Sequence, residues 1–156
     1  MANLLIVDDD LENLLPLALA LEGDGHRVSM TDDSRRAAEI VHRDAIECVI
    51  TDYQMPYVDG VQLCCALRSH PSLAGIPLFL LSAAVEPDDC PHCWTRFFRK
   101  PIVVNELLEA VSALLAVRLA APTRATQHGP ICRQAILRCE LTAASHWTAI
   151  NAACWP

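Results

Sequence analysis

No stretch of this chain approaches the ~20 consecutive apolar residues of a membrane-spanning helix. The leucine-rich segment from Leu14 to Leu21 is broken by Pro16 and closed by Glu22. A basic flank ahead of the first apolar run is also missing, since Met1-Ala2-Asn3 leads straight into it. Nothing there reads as a secretory signal, and the expectation is a cytoplasmic protein. Charged residues make up only 20% against 53% hydrophobic, which excludes a disordered chain and supplies a full core. Basic residues are scarce where it matters: residues 1–117 hold 18 acids against 8 bases. A body this acidic argues against direct binding of nucleic acid. Residues 118–156 reverse the sign weakly, with Arg118, Arg124, Arg133 and Arg138 against Glu140. That is too sparse to argue for nucleic acid, and no recognition-helix pattern accompanies it.

Cysteine is plentiful, but eight of them in 156 residues do not make a disulfide framework in a chain able to form its own core. Cys48, Cys64 and Cys65 fall inside apolar periodic segments and read as small, reduced core residues. The length fits one domain with a short appendage: residues 1–120 as the domain, 121–156 as a linker and short helical tail.

Leu4-Leu5-Ile6-Val7 is a buried strand ending in Asp8-Asp9-Asp10. From Leu11 to about Glu22 the leucines recur at helical spacing, with Asp10 as N-cap. Pro16 conflicts with a regular helix, so the helix either starts late or kinks there. Gly23-Asp24-Gly25 ends it, and Arg27 to Met30 is a second strand. Asp33 or Ser34 caps a helix through His42. Cys48-Val49-Ile50-Thr51-Asp52 is a β-branched apolar run closed by Tyr53-Gln54-Met55-Pro56 and Asp59-Gly60, hence a buried central strand. A helix follows from about Asp59 to Ser69, then a strand from Ile76 to Leu81 ending at Ser82-Ala83-Ala84. Val85 to Trp94 leaves room for one helical turn at most. Arg96-Phe97-Phe98-Arg99 is a short fifth strand closed by Lys100-Pro101, and Val104 to Val117 is an amphipathic helix. Solidly apolar strands alternating with helices mean a parallel sheet covered on both faces. The expectation is a flavodoxin-like, doubly wound α/β fold of five strands in the order 2-1-3-4-5.

In such sheets ligands sit at the carboxyl ends of the strands. That edge collects Asp8, Asp9, Asp52, Ser82 and Lys100. Carboxylates packed together repel, and a divalent cation relieves the repulsion. Hard oxygen ligands with open positions suit Mg²⁺, which keeps waters and recruits a phosphate oxygen. A lysine opposite supplies a point charge for phosphate, and a serine hydroxyl can hydrogen-bond it. The set reads as a site where Asp52 takes a phosphoryl group. Asp10, Asp24 and Asp59 read instead as caps and solvated turns.

Ile6-Val7-Asp8-Asp9-Asp10, Thr51 to Pro56 with Asp59-Gly60, Leu81-Ser82-Ala83 and Lys100-Pro101 together resemble the receiver domain of two-component response regulators, over residues 3 to 117. The resemblance implies that Asp52 is the phosphoacceptor and Asp9 a direct Mg²⁺ ligand, with Asp8 binding mainly through water. It makes the Gln54 backbone carbonyl the third protein ligand, Lys100 the phosphate-binding lysine and Ser82 the switch hydroxyl. Phe97 becomes the aromatic switch residue. The implied partners are a histidine kinase or histidine phosphotransfer protein upstream and a protein target downstream, with no membrane or nucleic-acid contact. The span from Ser82 to Lys100 is shorter than usual for the family, and the usual Gly-Ala turn before the fifth strand is absent. The loss falls on the fourth helix, between strands four and five, which is part of the surface most receivers signal through.

Other signals compete. An aspartate-nucleophile phosphohydrolase would share Mg²⁺, Asp and Lys, but wants an acid two residues after the nucleophile, where Gln54 stands. Cys90-Pro91-His92-Cys93 invites a thiol oxidoreductase or zinc reading, yet it sits late in the chain rather than after an early strand. In the tail, Cys132, Ile136, Cys139, Ala143, Trp147, Ile150 and Cys154 form one apolar stripe at helical spacing. It could dock on the domain or pair with a second copy as a homodimer.

Overall fold

The computed structural model describes residues 1–87 and 93–120. Five parallel strands, β1 (Asn3–Val7), β2 (Arg27–Thr31), β3 (Cys48–Asp52), β4 (Leu78–Ser82) and β5 (Arg96–Arg99), lie in the order β2-β1-β3-β4-β5. Four α-helices join them: α1 (Leu11–Gly23), α2 (Ala37–Arg43), α3 (Gly60–Ser69) and α4 (Val104–Ala120). This is the flavodoxin-like architecture expected from the alternating pattern.

The strands are apolar on both sides because both sides are covered. Leu5, Val7, Val49, Leu78 and Leu80 face α2 and α3. Leu4, Ile6, Ile50, Phe79 and Leu81 face α1 and α4. In β5 the alternation sends Phe97 to the first face, half-buried, and Phe98 to the second. Leu107 and Val111 of α4 are fully buried, while Leu108, Leu114 and Leu115 are half-buried at its margin.

The helix ends follow the local chemistry. Asp10 caps α1 by accepting from the Glu12 N–H at 2.9 Å. Asp59 and Gln62 form a reciprocal capping box at the start of α3, satisfying two donors that a helix start otherwise leaves open.

Several boundaries differ from expectation. α1 starts at Leu11 and runs through Pro16, so the late start is not what happens; packing of Leu14, Leu17, Ala18 and Leu21 on the sheet outweighs the one backbone bond that proline removes. The second helix begins with a 3₁₀ turn, Ser34–Arg36, capped by Asp33. β4 starts at Leu78, two residues later than the apolar run. Between β4 and β5 the described residues contain no helix. In its place Cys93 and Trp94 are buried against the α2–α3 face, and the Trp94 indole N–H donates to Glu86 Oε1 at 2.8 Å. The large aromatic ring is thus part of the apolar cluster on that side of the sheet. Cys90 and His92, and the tail stripe from Cys132 to Cys154, lie outside the described residues.

Candidate functional site

Strand register places the reactive groups. Val7 pairs with Thr51, so Asp8 stands level with Asp52 on the neighbouring strand. Asp52 pairs with Leu81, and Ser82 with Arg99, which sets Lys100 just past the end of β5. Lys100 is therefore two strands from Asp52, roughly 10 Å at ordinary strand spacing. It is the only lysine in the chain, and its long side chain reaches over the end of β4, where Ser82 is small.

Lys100 Nζ donates to Asp52 Oδ1 at 2.7 Å and to Asp8 Oδ2 at 2.9 Å. The other carboxylate oxygens are held by backbone: the Gln54 N–H donates to Asp52 Oδ2 at 2.9 Å, and the Asp10 N–H to Asp8 Oδ1 at 2.9 Å. Asp8 is 3% and Asp52 6% exposed. The Lys100 N–H donates to the Ser82 carbonyl at 2.7 Å, extending the β4–β5 pairing to the site. The Lys100–Pro101 peptide bond is cis.

One ammonium shared by two carboxylates leaves an asymmetry. Burial pushes the Asp52 carboxyl above its ordinary range; the hydrogen bond and charge of Lys100 pull it back, and the negative charge of Asp8 adds to the rise. Burial also works against the Lys100 ammonium, but its hydrogen bonds to Asp52 and Asp8 outweigh that and its pKa is raised. The cation has more partners than it needs, and each anion has half of one.

Two contacts flank the acid pair, one beside Asp52 and one on Asp8. The Gly60 N–H donates to the Tyr53 carbonyl at 2.9 Å, which pulls the start of α3 onto the end of β3. A Cβ at position 60 would lie 2.1 Å from the Asp52 carbonyl oxygen, so only glycine allows that approach. At the other flank Asn13 Nδ2 donates to Asp8 Oδ1 at 3.4 Å.

Of the residues expected at this edge, Asp8, Asp52 and Lys100 are bonded together. Ser82 is buried, and its Oγ accepts the Ala84 N–H at 3.0 Å rather than touching the ion pair. Asp9 is exposed and outside the bonded set. Gln54 is exposed with its backbone N–H on Asp52, and Phe97 packs in the core below. Asp10 and Asp59 are caps, as read. The sequence reading missed the close approach at Gly60 and the contact from Asn13. Asn13's spacing from Asp10, three residues along a helix, was the available signal.

The donor set suits a hard cation: Asp8 and Asp52 already converge on a single positive centre, and Asp9 follows Asp8 in the chain. They do not yet surround one point. Among the described residues no three His, Cys, Asp or Glu side chains are grouped to hold a metal ion.

The response regulator receiver domain family matches residues 4–112. The chain is 37% identical over 90 residues to the gliding motility regulatory protein of Myxococcus xanthus, covering 54% of this chain and 11% of that protein. It is 32% identical over 127 residues to the transcriptional regulatory protein PrrA of Mycobacterium leprae, covering 79% and 54%. The chain thus spans about half or less of the length of these curated relatives. Among solved structures, the signal receiver domain of a histidine kinase from Syntrophus aciditrophicus superposes with a TM-score of 0.71 at 25% identity, covering 82% of this chain and 100% of that one. A receiver domain from Clostridium thermocellum gives 0.70 at 21% identity over 77% and 98%, a likeness of fold.

Proposed function

The chain belongs to the response regulator receiver domain family, a phosphoacceptor switch module of two-component signalling, and on that premise we propose that residues 1–120 act as a response regulator receiver phosphorylated on Asp52. The phosphodonor is a histidine kinase or histidine phosphotransfer protein, and the output is a protein target. The observation that carries the reading is Lys100 Nζ bridging Asp52 and Asp8 at the carboxyl edge of the sheet.

In the transfer, Asp52 Oδ1 attacks phosphorus, the bond to the donor nitrogen breaks, and an acyl phosphate forms on Asp52. The Gln54 N–H holds Oδ2 and thereby aims Oδ1. Lys100 exchanges its bond to Asp52 for one to the incoming phosphoryl oxygens. Because Ser82 Oγ accepts from Ala84, its own hydrogen can be donated to a phosphoryl oxygen. Asp8, Asp9, Asp52 and the Gln54 carbonyl would hold Mg²⁺, which would neutralise charge on the transferring group. The phosphoryl group adds up to about two negative charges beside Ser82 and Lys100. Movement of Ser82 toward them vacates space next to Phe97 on the adjacent strand, so the signal leaves through β5 and α4. Gln54 cannot protonate a leaving group, which disfavours hydrolysis of external phosphate esters.

A small acyl-phosphate donor with Mg²⁺ tests the assignment. The expected product is the full chain carrying one acid-stable, base-labile phosphate, absent in Asp52→Asn. Full labelling of that variant overturns it.

A further inference from the structure

The structure places two thiols in contact that lie far apart in sequence and that the phosphoacceptor site does not use. Cys65 on α3 and Cys93, just before β5, are 28 residues apart, and their sulfurs are 2.7 Å apart in the core. A shift of about 0.7 Å would bring them to the S–S bond length of about 2.05 Å. Both are reduced here and both are buried.

Their surroundings favour reaction over simple packing. The Cys93 thiol is drawn below its ordinary pKa by the hydrogen bond with Cys65; burial opposes this, and the charge of Arg68 assists it. Arg68, one turn along α3 from Cys65, donates from Nε to the Cys93 carbonyl at 2.9 Å and from Nη2 to Thr95 Oγ1 at 2.9 Å. It also donates from Nη1 to the Ala74 carbonyl at 2.8 Å. The same guanidinium therefore clamps the 93–95 segment onto α3 and provides positive charge near a thiol, the setting in which cysteines become nucleophilic. Ala83, Ala84, Val85 and Thr95 in the same connection are exposed.

We propose that Cys65 and Cys93 form a reversible redox-modification site, oxidised by a hydroperoxide to a disulfide that staples the β4–β5 connection to α3. The Cys93 thiolate attacks the peroxide O–O bond; one oxygen becomes its sulfenic acid and the other leaves as water or an alcohol. The Cys65 sulfur then displaces that oxygen as water, which takes up the Cys65 proton, and the S–S bond forms. Two thiols are oxidised by two electrons and one peroxide is reduced. A dithiol reverses the step. Cys93 thus pairs through space with Cys65, not with Cys90 in the local Cys-x-x-Cys motif. The inference does not depend on the phosphoacceptor reading.

The test treats the full chain with one equivalent of hydrogen peroxide, then denatures, alkylates and digests it without reduction. The expected product is one cross-linked peptide joining Cys65 to Cys93, two hydrogens lighter than its parts and released by dithiothreitol. Cys65→Ala and Cys93→Ala each abolish it, and Cys90→Ala leaves it. A Cys90–Cys93 bridge as the main product overturns the proposal. So does continued alkylation of both Cys65 and Cys93 after other thiols have oxidised. Should a variant fail to fold, the wild-type time course decides. Cys65 and Cys93 losing alkylation together supports the pair, whereas Cys93 losing it together with Cys90 overturns it.

Discussion

Replacing Lys100 with methionine removes the one cation from between two buried carboxylates while keeping much of its aliphatic stem. The Asp8 and Asp52 side chains are 5% and 9% exposed, the Lys100 side chain 23%. Breaking a fully buried pair costs about 3–5 kcal/mol, because the remaining charge stays buried without a partner. Lys100 keeps some of its surface in water, which screens the pair and lowers the expected loss to about 2–3 kcal/mol. For a domain of this size that is a drop of roughly 10 °C in Tm. The loss should depend on pH in one direction. Burial already raises the Asp52 pKa in the wild type, and losing the ammonium raises it further. A group whose folded pKa lies above its unfolded value gives stability that is fully present below the unfolded pKa and lost as pH rises through the folded one. Lys100→Met should therefore approach wild type near pH 4, close to the unfolded carboxylate pKa of about 3.9, and fall away from it toward pH 7. Urea unfolding followed by circular dichroism at both pH values measures this. An equal loss at pH 4 and pH 7 would refute the claim that the lysine acts by compensating these carboxylates.

Asp52→Asn removes the carboxyl whose ionisation burial disfavours and leaves Lys100 paired with Asp8 alone. It should gain stability at pH 7 and less at pH 4; a loss at pH 7 in urea unfolding contradicts it. Gly60→Ala drives a Cβ into the Asp52 carbonyl and should cost about 3 kcal/mol or more. Because it shifts Asp52, the proposed phosphoacceptor, phosphate labelling should slow as well as stability fall. Trp94→Ala opens a cavity in the core on the α2–α3 side of the sheet and should cost about 3–5 kcal/mol, read as a lower denaturant midpoint; a change under about 1 kcal/mol would mean the ring contributes little to that core. Asp9→Ala, at an exposed position, should change metal-free stability by no more than about 0.5 kcal/mol. It should nonetheless remove most of the thermal shift produced by Mg²⁺, measured by scanning fluorimetry.

The strands, helices and sheet order were readable in the chain because each rests on a local property. Leu4 to Val7, Val49 to Thr51 and Leu78 to Leu81 are apolar on both sides, and only a sheet covered twice can bury them. Asp10 and Asp59 announce helix starts by their side-chain chemistry. The gathering of Asp8, Asp52, Ser82 and Lys100 at one edge followed too, since a parallel sheet puts them at the same ends of their strands. Tertiary structure decided everything that depends on distance between residues remote in sequence. No local pattern states that one lysine will be shared by two carboxylates, because that depends on register and on how far a side chain reaches across β4. Gly60 reads as an ordinary turn glycine until α3 is docked and the Asp52 carbonyl occupies the space a Cβ would need. Trp94 and Cys93 lie in the stretch with the weakest periodicity. They are buried because they pack into the apolar cluster on the α2–α3 side of the sheet, where a large apolar ring excludes water. Cys93 has a sequence neighbour in Cys90, yet its contact is with Cys65. Local chemistry sets what an element can be, whereas the packing of elements sets which side chains meet.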